Sequence, residues 1–335
     1  MATMVEADHL VDDNVRHFGR FYDTPTANPY DAFSGPRRAY EWFRTKEWAG
    51  FTLIHPEIAA SMIIQDAKYL ATGELYVFER ASAELSQHAA NRRGGLRLPS
   101  DLLHAKVTYS AGGFRLGYAF GDDEVSIAID IDATHLAPAV RGRLSLDVRH
   151  ASRPLVVSAL LPGGAMYTNK IIYPASGTIS CGGRPYVFDP TRDFAILDEH
   201  KSHLPYRTEW TWGTFAMAVP GGIAGANMGL RESAPGHEEE SCIWTPAGVE
   251  PLSDLTFTQL ATDDPLSRWQ IRSLDGRVDV AFTPEGHKDD NLNLAVAKLD
   301  YSQWFGHYDG LLRGADQTWR LDHVPGVCEH MLARL

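Results

Sequence analysis

The chain has 335 residues, of which 31 are Lys or Arg and 43 are Asp or Glu, so its formal net charge is −12. This acidic balance argues against a nucleic-acid partner and against docking on anionic membranes, because clustered Lys and Arg bind both kinds of surface. Three cysteines, Cys181, Cys242 and Cys328, are far apart in the sequence, which predicts a reducing compartment. The acidic N-terminus and the lack of a long apolar run predict a cytoplasmic protein without membrane insertion.

Alternation of apolar and polar residues dominates the first half of the chain and predicts antiparallel strands. Residues 57–69 fit a helix and a strand equally well. Residues 107–109 and 114–116 are predicted to form a hairpin across a Gly-Gly turn, and residues 124–132 and 143–149 each predict a strand with one buried face. At this chain length, two domains are expected.

A turn-rich break around residues 181–185 is the predicted domain boundary, which divides the chain into residues 1–185 and 186–335. Beyond it, residues 268–284 predict a hairpin. Its Asp275-Gly276 pair indicates a type I′ turn, in which both central residues have positive φ. Strands at this spacing predict an all-β, mainly antiparallel fold of barrels or sandwiches with few short helices.

The most unusual segment is DEHKSHLPYRTEWTW, residues 198–212, which concentrates carboxylates, histidines and aromatic residues. As a strand it places Tyr206, Trp210 and Trp212 on one side. Two Trp on one face need a deep core or a ligand cavity, because each buries on the order of 200 Å². The sequence favours neither alternative.

Metal and nucleotide chemistry are not predicted. His200 and His203, followed by Glu209, lack the helical His-Glu-x-x-His pattern, so we expect solvent-facing loop histidines. The sequence also lacks the dinucleotide fingerprint, the P-loop and the serine nucleophile elbow. No cofactor is therefore expected.

Two later segments combine aromatic and polar residues. QWFGHYDG, residues 303–310, would place Trp304 and Tyr308 on one strand face and Gln303 on the other. This pattern is typical of small-barrel packing as well as of a pocket wall. GVCEH, residues 326–330, carries Glu329.

Seven segments in order resemble an uncharacterised bacterial family of domains of unknown function. They are MYTNK, PASG, DEHKSHLPYRTEWTW, NMGL, RVDVAFTP, QWFGHYDG and GVCEH. More distantly, this family is similar to the carotenoid 1,2-hydratase-like and fungal decalin Diels–Alderase-like proteins. The resemblance implies two lipocalin-like β-domains with a pocket between or within them, and it implies a reaction only loosely.

Carboxylates embedded in aromatic segments, together with this resemblance, lead to the main hypothesis. It is a cofactor-independent lyase or isomerase, of hydratase or cyclase type, acting on a terpenoid- or polyketide-like small molecule. A carboxylic acid kept protonated by burial would protonate an alkene or carbonyl, and aromatic faces would stabilise the developing cation. The candidate acids are Asp198, Glu209 and Glu329.

The residues expected to line the pocket or to orient polar groups of the ligand are Lys170, Tyr206, Trp210, Trp212, Asn227, Gln303, Trp304 and Tyr308. One alternative is a non-catalytic carrier of a lipid or isoprenoid, which needs the same pocket without a perturbed carboxyl. A further alternative is a stress-related scaffold with a vestigial cavity.

Overall fold

A computed structural model describes residues 4–236, 240–252, 254–293 and 298–334. These residues form 25 strands, one α-helix and two short 3-10 helices, so the all-β fold is confirmed. Within these ranges, no helix is both long enough and apolar enough to cross a membrane.

Strands far outnumber helices among the elements of the described residues. The first are β1 (Met4–Val5), β2 (Val11–Asp12), β3 (Val15–Arg16), β4 (Gly19–Phe21), the 3-10 helix Pro29–Ala32, α1 (Gly35–Arg44), β5 (Thr45–Ile54), β6 (Ile58–Asp66), β7 (Leu70–Glu79), β8 (Glu84–Arg93), the 3-10 helix Leu102–His104, β9 (Lys106–Ala111), β10 (Phe114–Phe120), β11 (Glu124–Ile131) and β12 (Val140–Asp147). They are followed by β13 (Leu155–Leu161), β14 (Gly164–Cys181), β15 (Arg184–Phe188), β16 (Phe194–His203), β17 (Arg207–Val219), β18 (Gly222–Arg231), β19 (Cys242–Thr245), β20 (Gly248–Pro251), β21 (Leu255–Gln259), β22 (Trp269–Ser273), β23 (Val278–Asn293), β24 (Lys298–Arg313) and β25 (Thr318–Arg334).

Ten strands of the first sheet follow the order β8-β7-β6-β5-β16-β14-β12-β11-β10-β9 and form a near-barrel. Its two edges are joined by Tyr109 of β9, whose hydroxyl donates a 2.8 Å hydrogen bond to the carbonyl of Ala90 in β8. The ring of Tyr109 lies over Gly73, where an added Cβ would be 2.5 Å from it. The close approach of this ring therefore requires glycine at position 73.

The predicted alternation is confirmed in β11, where the apolar residues are buried inside the near-barrel. They are Val125, Ile127, Ile129 and Ile131. The ambiguous residues 57–69 form strand β6, which pairs with β5 on one side and β7 on the other. Pairing on both sides stabilises the extended form, a non-local effect that local periodicity does not reveal.

The second sheet has nine strands in the order β20-β19-β18-β17-β25-β24-β23-β22-β21 and forms a half-barrel. Its core packs around Phe215, Phe282 and Tyr308. The chain passes from the first sheet to the second at residues 204–206, between β16 and β17. The Gly182-Gly183 turn joins β14 to β15 within the first sheet, so the predicted boundary at residue 185 lies inside that sheet.

The predicted hairpin of β22 and β23 is confirmed, but its predicted type I′ turn is wrong. Of the turn residues 274–277, all of which the structure describes, only Gly276 has a positive φ, of 71°. The turn closes through a 3.0 Å hydrogen bond from the Gly276 N–H to the Ser273 carbonyl. Asp275 instead accepts a hydrogen bond from the Ser273 hydroxyl, at 2.6 Å. The four-residue loop thus needs only one residue with positive φ.

Candidate functional site

A cavity of about 330 Å³ is lined by residues of both sheets. Its wall combines apolar and aromatic side chains with a few carboxyls and amides. The first sheet contributes, among others, Trp48, Phe51, Met62, Leu75, Tyr76 and Asp198, and the second contributes Trp210, Trp212, Tyr301, Gln303 and Glu329. A mostly apolar cavity with a few convergent polar groups is typical of small-molecule sites.

Asp198 lies at the wall of this cavity and is held by three side chains. It is the cross-strand partner of Lys170, so their side chains share one face, and the Lys170 ammonium pairs with Oδ1. The indole N–H of Trp48 donates to Oδ2 at 3.0 Å, and Nε2 of His200 is 3.5 Å from Oδ1. Burial raises the pKa of Asp198, but Lys170 and His200 outweigh this effect and hold it below its ordinary value. Asp198 is therefore an anion at neutral pH.

Lys170 is almost fully buried between Asp198 and the second sheet. Its Nζ is 3.6 Å from Oε2 of Glu240 and 4.8 Å from the ring centroid of Trp212. Asn227 holds Trp212 and Glu240, the two residues beside Lys170. Its Oδ1 accepts a hydrogen bond from the Trp212 indole at 2.7 Å, and its Nδ2 donates to the Glu240 carbonyl at 2.9 Å. Asn227 therefore positions the wall, and its amide is occupied within the protein.

Glu329 lies on the second sheet and faces the same cavity. Its Oε1 accepts from the Trp210 indole N–H at 2.9 Å. Its Oε2 accepts from the Tyr301 hydroxyl at 2.7 Å and from the Gln303 amide at 3.0 Å. Burial raises the pKa of Glu329 above its ordinary value, and the negative charge of Asp198 adds to this against the opposing effect of the hydrogen bonds. Burial therefore favours the protonated form of Glu329.

A second polar group at the cavity wall surrounds Lys288. Its Nζ is 2.8 Å from Asp290 and 3.5 Å from Glu74, and it lies 5.6 Å and 5.2 Å from the ring centroids of Tyr76 and Tyr301. Burial raises the pKa of Glu74. The hydroxyl of Tyr76 is buried and has no hydrogen-bond partner among the described residues.

The model of a family described as a domain of unknown function, DUF2804, matches residues 28–335. The chain belongs to this family. No curated protein matches its sequence. Membership of this family assigns no activity, so the function has to be argued from the site.

Solved structures share the fold of this DUF2804 protein. Kievitone hydratase from Nectria haematococca is 12% identical with a TM-score of 0.51, over 86% of this chain and 88% of that chain. CghA with Sch210972 is 10% identical with a TM-score of 0.55, over 87% and 88% of the two chains. A further CghA structure is 12% identical with a TM-score of 0.53, over the same shares. At these identities the likeness shows the fold alone, which confirms the distant similarity inferred from the sequence.

The structure brings together some of the predicted site residues of this DUF2804 protein. Asp198, Trp210, Trp212, Gln303 and Glu329 line the cavity. Lys170 and Asn227 lie directly behind the wall, in contact with Asp198 and Trp212.

Four other predicted site residues lie elsewhere. The Glu209 side chain is 65% exposed on the opposite face of β17, and Tyr206 is 56% exposed before that strand. Trp304 and Tyr308 pack in the core of the second sheet, where their polar atoms donate to the carbonyls of Pro265 and Val327. Because successive strand residues point to opposite faces, Gln303 faces the cavity and Trp304 faces the core of the second sheet.

Sequence reasoning missed several residues of the site. Tyr301 could have been found, because it lies two positions before Gln303 and therefore shares its face. Trp48 has no such signal in its strand. The expectation of a solvent-facing His200 is wrong, since it is buried in β16, which pairs on both sides, and its ring stacks on Trp48 at a centroid distance of 4.4 Å.

Proposed function

We propose that this protein is a cofactor-independent lyase or isomerase, of hydratase or cyclase type, that acts on an apolar terpenoid- or polyketide-like molecule. One observation carries the proposal. Asp198 and Glu329 line the same cavity, and their pKa values are shifted in opposite directions. Two carboxyls whose environments separate their pKa values are suited to act as base and acid.

Glu329 is the proton donor in this proposal. Burial raises the pKa of Glu329 and so favours the protonated form, from which a substrate atom would accept the proton. Trp210, Tyr301 and Gln303 then stabilise the carboxylate that remains, because all three donate hydrogen bonds to it. These interactions strengthen as negative charge develops on Glu329, which lowers the barrier to proton transfer.

Asp198 is the proton acceptor. In a hydration, the Glu329 proton adds to one alkene carbon, a water oxygen adds to the other carbon, and Asp198 takes the proton that this water loses. In an isomerisation, Asp198 instead takes a proton from a substrate carbon. Return of the proton from Asp198 to Glu329 through solvent completes either cycle, so the enzyme ends unchanged.

The cavity wall supports an apolar substrate that passes through a positively charged state. Trp210, Trp212 and Tyr76 contribute aromatic surface, and an aromatic face attracts a cation. The free hydroxyl of Tyr76 would suit an oxygen atom of the substrate. The fold shared with kievitone hydratase is consistent with the hydratase type.

Deuterium incorporation tests the proposal even while the substrate is unidentified. The protein is incubated in D2O with an apolar extract of its source cells, and metabolite masses are compared with and without protein. Protonation of a substrate carbon by Glu329 would add deuterium to one metabolite. Glu329→Gln and Asp198→Asn should each lower the rate by about 10²-fold or more.

The matched control is Glu209→Gln, which changes an exposed carboxylate on the same strand as Trp210. It should keep the wild-type rate. A carrier of lipid or isoprenoid would instead return its ligand without deuterium, and all three variants would bind it equally. Wild-type incorporation in both Glu329→Gln and Asp198→Asn would remove these carboxyls from the mechanism.

A further inference from the structure

Helix α1 presents a row of apolar residues to solvent. Pro36, Ala39, Tyr40 and Phe43 share one face at helical spacing, and all four are exposed. Tyr40 is 57% exposed and Phe43 is 47% exposed. A surface helix of a globular protein normally buries this face, yet none of the ten residues of α1 is buried.

The side of α1 that turns toward the protein combines polar groups with the half-buried Trp42, whose ring centroid is 5.6 Å from Nζ of Lys68. Oε2 of Glu41 is 2.6 Å from Nδ1 of His203, and the Arg44 guanidinium donates to the carbonyl of Leu204 at 3.4 Å. The last turn of the helix is therefore anchored through polar groups at the point where the chain leaves the first sheet. The ring of Tyr40 meets the ring of His203 edge-on at a centroid distance of 6.3 Å, but more than half of Tyr40 stays exposed to a partner.

The exposed face continues into the cavity. The ring of Phe43 is 5.9 Å from that of Tyr69, which is 57% exposed and also lines the cavity. Lys46, another cavity residue, lies between them with Nζ 5.6 Å and 5.3 Å from the two ring centroids. We call Tyr40, Phe43 and Tyr69 the mouth patch. Tyr69 and Lys46 thus join the mouth patch to the cavity wall.

Cations flank the mouth patch although the whole chain is acidic. The side chain of Arg37 is 71% exposed and that of Arg38 is 49% exposed. Their carboxylate partners are Glu41 at 3.8 Å, whose side chain is 13% exposed, and Asp31 at 2.7 Å, whose side chain is 38% exposed. Pairs with such exposed arginines contribute little and are readily exchanged for other anions. Aromatic side chains beside arginines are typical of helices that lie at a membrane surface.

We propose that the mouth patch docks on the surface of a bilayer that contains anionic lipids, and that the apolar ligand passes from the bilayer into the cavity. The second part rests on the proposed function, which requires an apolar ligand. A bilayer fits better than a protein partner because the patch adjoins, through Tyr69, the lining of a mostly apolar cavity that suits a lipid-soluble molecule. The local charge thus outweighs the expectation drawn from the net charge.

Vesicle flotation with the full chain tests the docking. The vesicles contain phosphatidylcholine alone or phosphatidylcholine mixed with phosphatidylglycerol. Wild-type protein should float with the mixed vesicles and less with phosphatidylcholine alone. Tyr40→Ser/Phe43→Ser should lower the partition coefficient by at least about tenfold, because it removes apolar surface that enters the interface. Arg37→Gln/Arg38→Gln should lower it by about tenfold with mixed vesicles only.

The matched control is Leu136→Ser/Leu274→Ser, which removes two apolar side chains that are each 82% exposed elsewhere. This control should bind vesicles as the wild type does. All the changed positions are exposed, and circular dichroism with thermal unfolding verifies that each variant remains folded. Tyr40→Ser alone provides a second, milder variant, with a smaller loss in the same direction.

Three outcomes would overturn the docking proposal. The wild type could remain in the aqueous phase with both vesicle types, or the Leu control could lose as much binding as the patch variant. Sedimentation velocity could also reveal a dimer that only the patch variant abolishes, with vesicle binding unchanged, which would assign the patch to a second copy of this chain.

Binding of the uncharged fluorophore N-phenyl-1-naphthylamine, measured without vesicles, keeps this test separate from the proposed function. The patch variant should bind the fluorophore with wild-type affinity. If the wild-type protein binds vesicles but incorporates no deuterium into any metabolite, the catalytic proposal alone is refuted.

Discussion

Trp210 donates its indole N–H to Oε1 of Glu329 through a 2.9 Å hydrogen bond between the adjacent strands β17 and β25. The same indole forms part of the cavity wall, and it also lines an outer groove with Arg207 and Glu209. One side chain therefore separates the cavity from the groove and stabilises the charged form of the carboxyl. Displacement of Trp210 by a ligand would raise the pKa of Glu329 further, because the anion would lose a donor.

Removing one hydrogen-bond donor at a time should measure the effect of these donors on the pKa of Glu329. Trp210→Phe and Tyr301→Phe should each raise the pKa of Glu329 by about one unit, since a hydrogen bond to a charged group contributes roughly 1.5 kcal/mol or more. Infrared titration of the carboxyl stretch that Glu329→Gln abolishes gives this pKa. Tyr308→Phe is the control, because its hydroxyl donates to the Val327 carbonyl and should leave the pKa of Glu329 unchanged.

The two carboxyls should affect stability in different pH ranges. The pKa of Glu329 is raised above 4.5 on folding, so its contribution is complete below that pH and is lost as pH rises through the folded pKa. The pKa of Asp198 is lowered below 3.8, so its contribution is present above that pH and is lost as pH falls through the folded pKa.

Urea unfolding of the wild type, Glu329→Gln and Asp198→Asn across pH tests this difference. The free energy of unfolding of the wild type relative to Glu329→Gln should fall as pH rises above about 4.5. Relative to Asp198→Asn, it should fall as pH drops below about 3.8. Parallel curves for the three proteins would contradict both assignments.

Lys170→Met should strongly destabilise the protein. The Lys170 side chain is 3% exposed, and its removal leaves Asp198 and Glu240 without their shared cation. A loss of roughly 3 kcal/mol is expected from breaking a buried pair on one side. Lys170→Met/Asp198→Asn should recover part of this loss in chemical denaturation, since it also removes one unpaired anion.

Arg149→Met is the surface counterpart of this experiment. Arg149 and Asp123 are 3.9 Å apart, with side chains 71% and 79% exposed. This variant should cost less than about 1 kcal/mol. A Lys170→Met loss no larger than that would mean that Lys170 does not hold Asp198 as an anion.

Gly73→Ala should weaken the closure of the near-barrel. The added Cβ would lie 2.5 Å from the Tyr109 ring, so the ring must move and its hydrogen bond to Ala90 is disturbed. The expected cost is about 1–3 kcal/mol in thermal or chemical unfolding. Gly117→Ala, where the nearest atom is a Thr108 methyl at 3.5 Å, should be close to neutral. Equal costs at the two positions would show that the contact with the Tyr109 ring does not determine the cost.

The sequence predicts where strands lie in the chain better than it predicts which face of a strand lines the cavity. Period-two alternation identified β11 because Ile127 and its apolar neighbours face one core, and the glycines identified two hairpins. Alternation also groups residues by face, but it does not decide which face meets the cavity. Both Gln303 and Trp304 were therefore predicted to contact the ligand, although they lie on opposite faces, and only Gln303 lines the cavity.

The sequence pattern does not predict which distant segments contact each other. Trp48 and Asp198 are 150 positions apart, and they meet because β5 and β16 are neighbours in the first sheet. The same pairing buries His200, whose sequence surroundings are polar. Asp198 and Glu209 belong to the same aromatic-rich segment, yet only Asp198 lines the cavity, and Glu209 is exposed.

Asp198 belongs to one sheet and Glu329 to the other, and the chain crosses between the sheets at residues 204–206. The distance between the two carboxyl groups therefore depends on how the two sheets pack against each other. A small rotation of one sheet relative to the other about residues 204–206 would change this distance and would keep the hydrogen bonds within each sheet. The packing between the two sheets, as well as the residues of the wall, therefore determines the length of molecule that both carboxyls can contact.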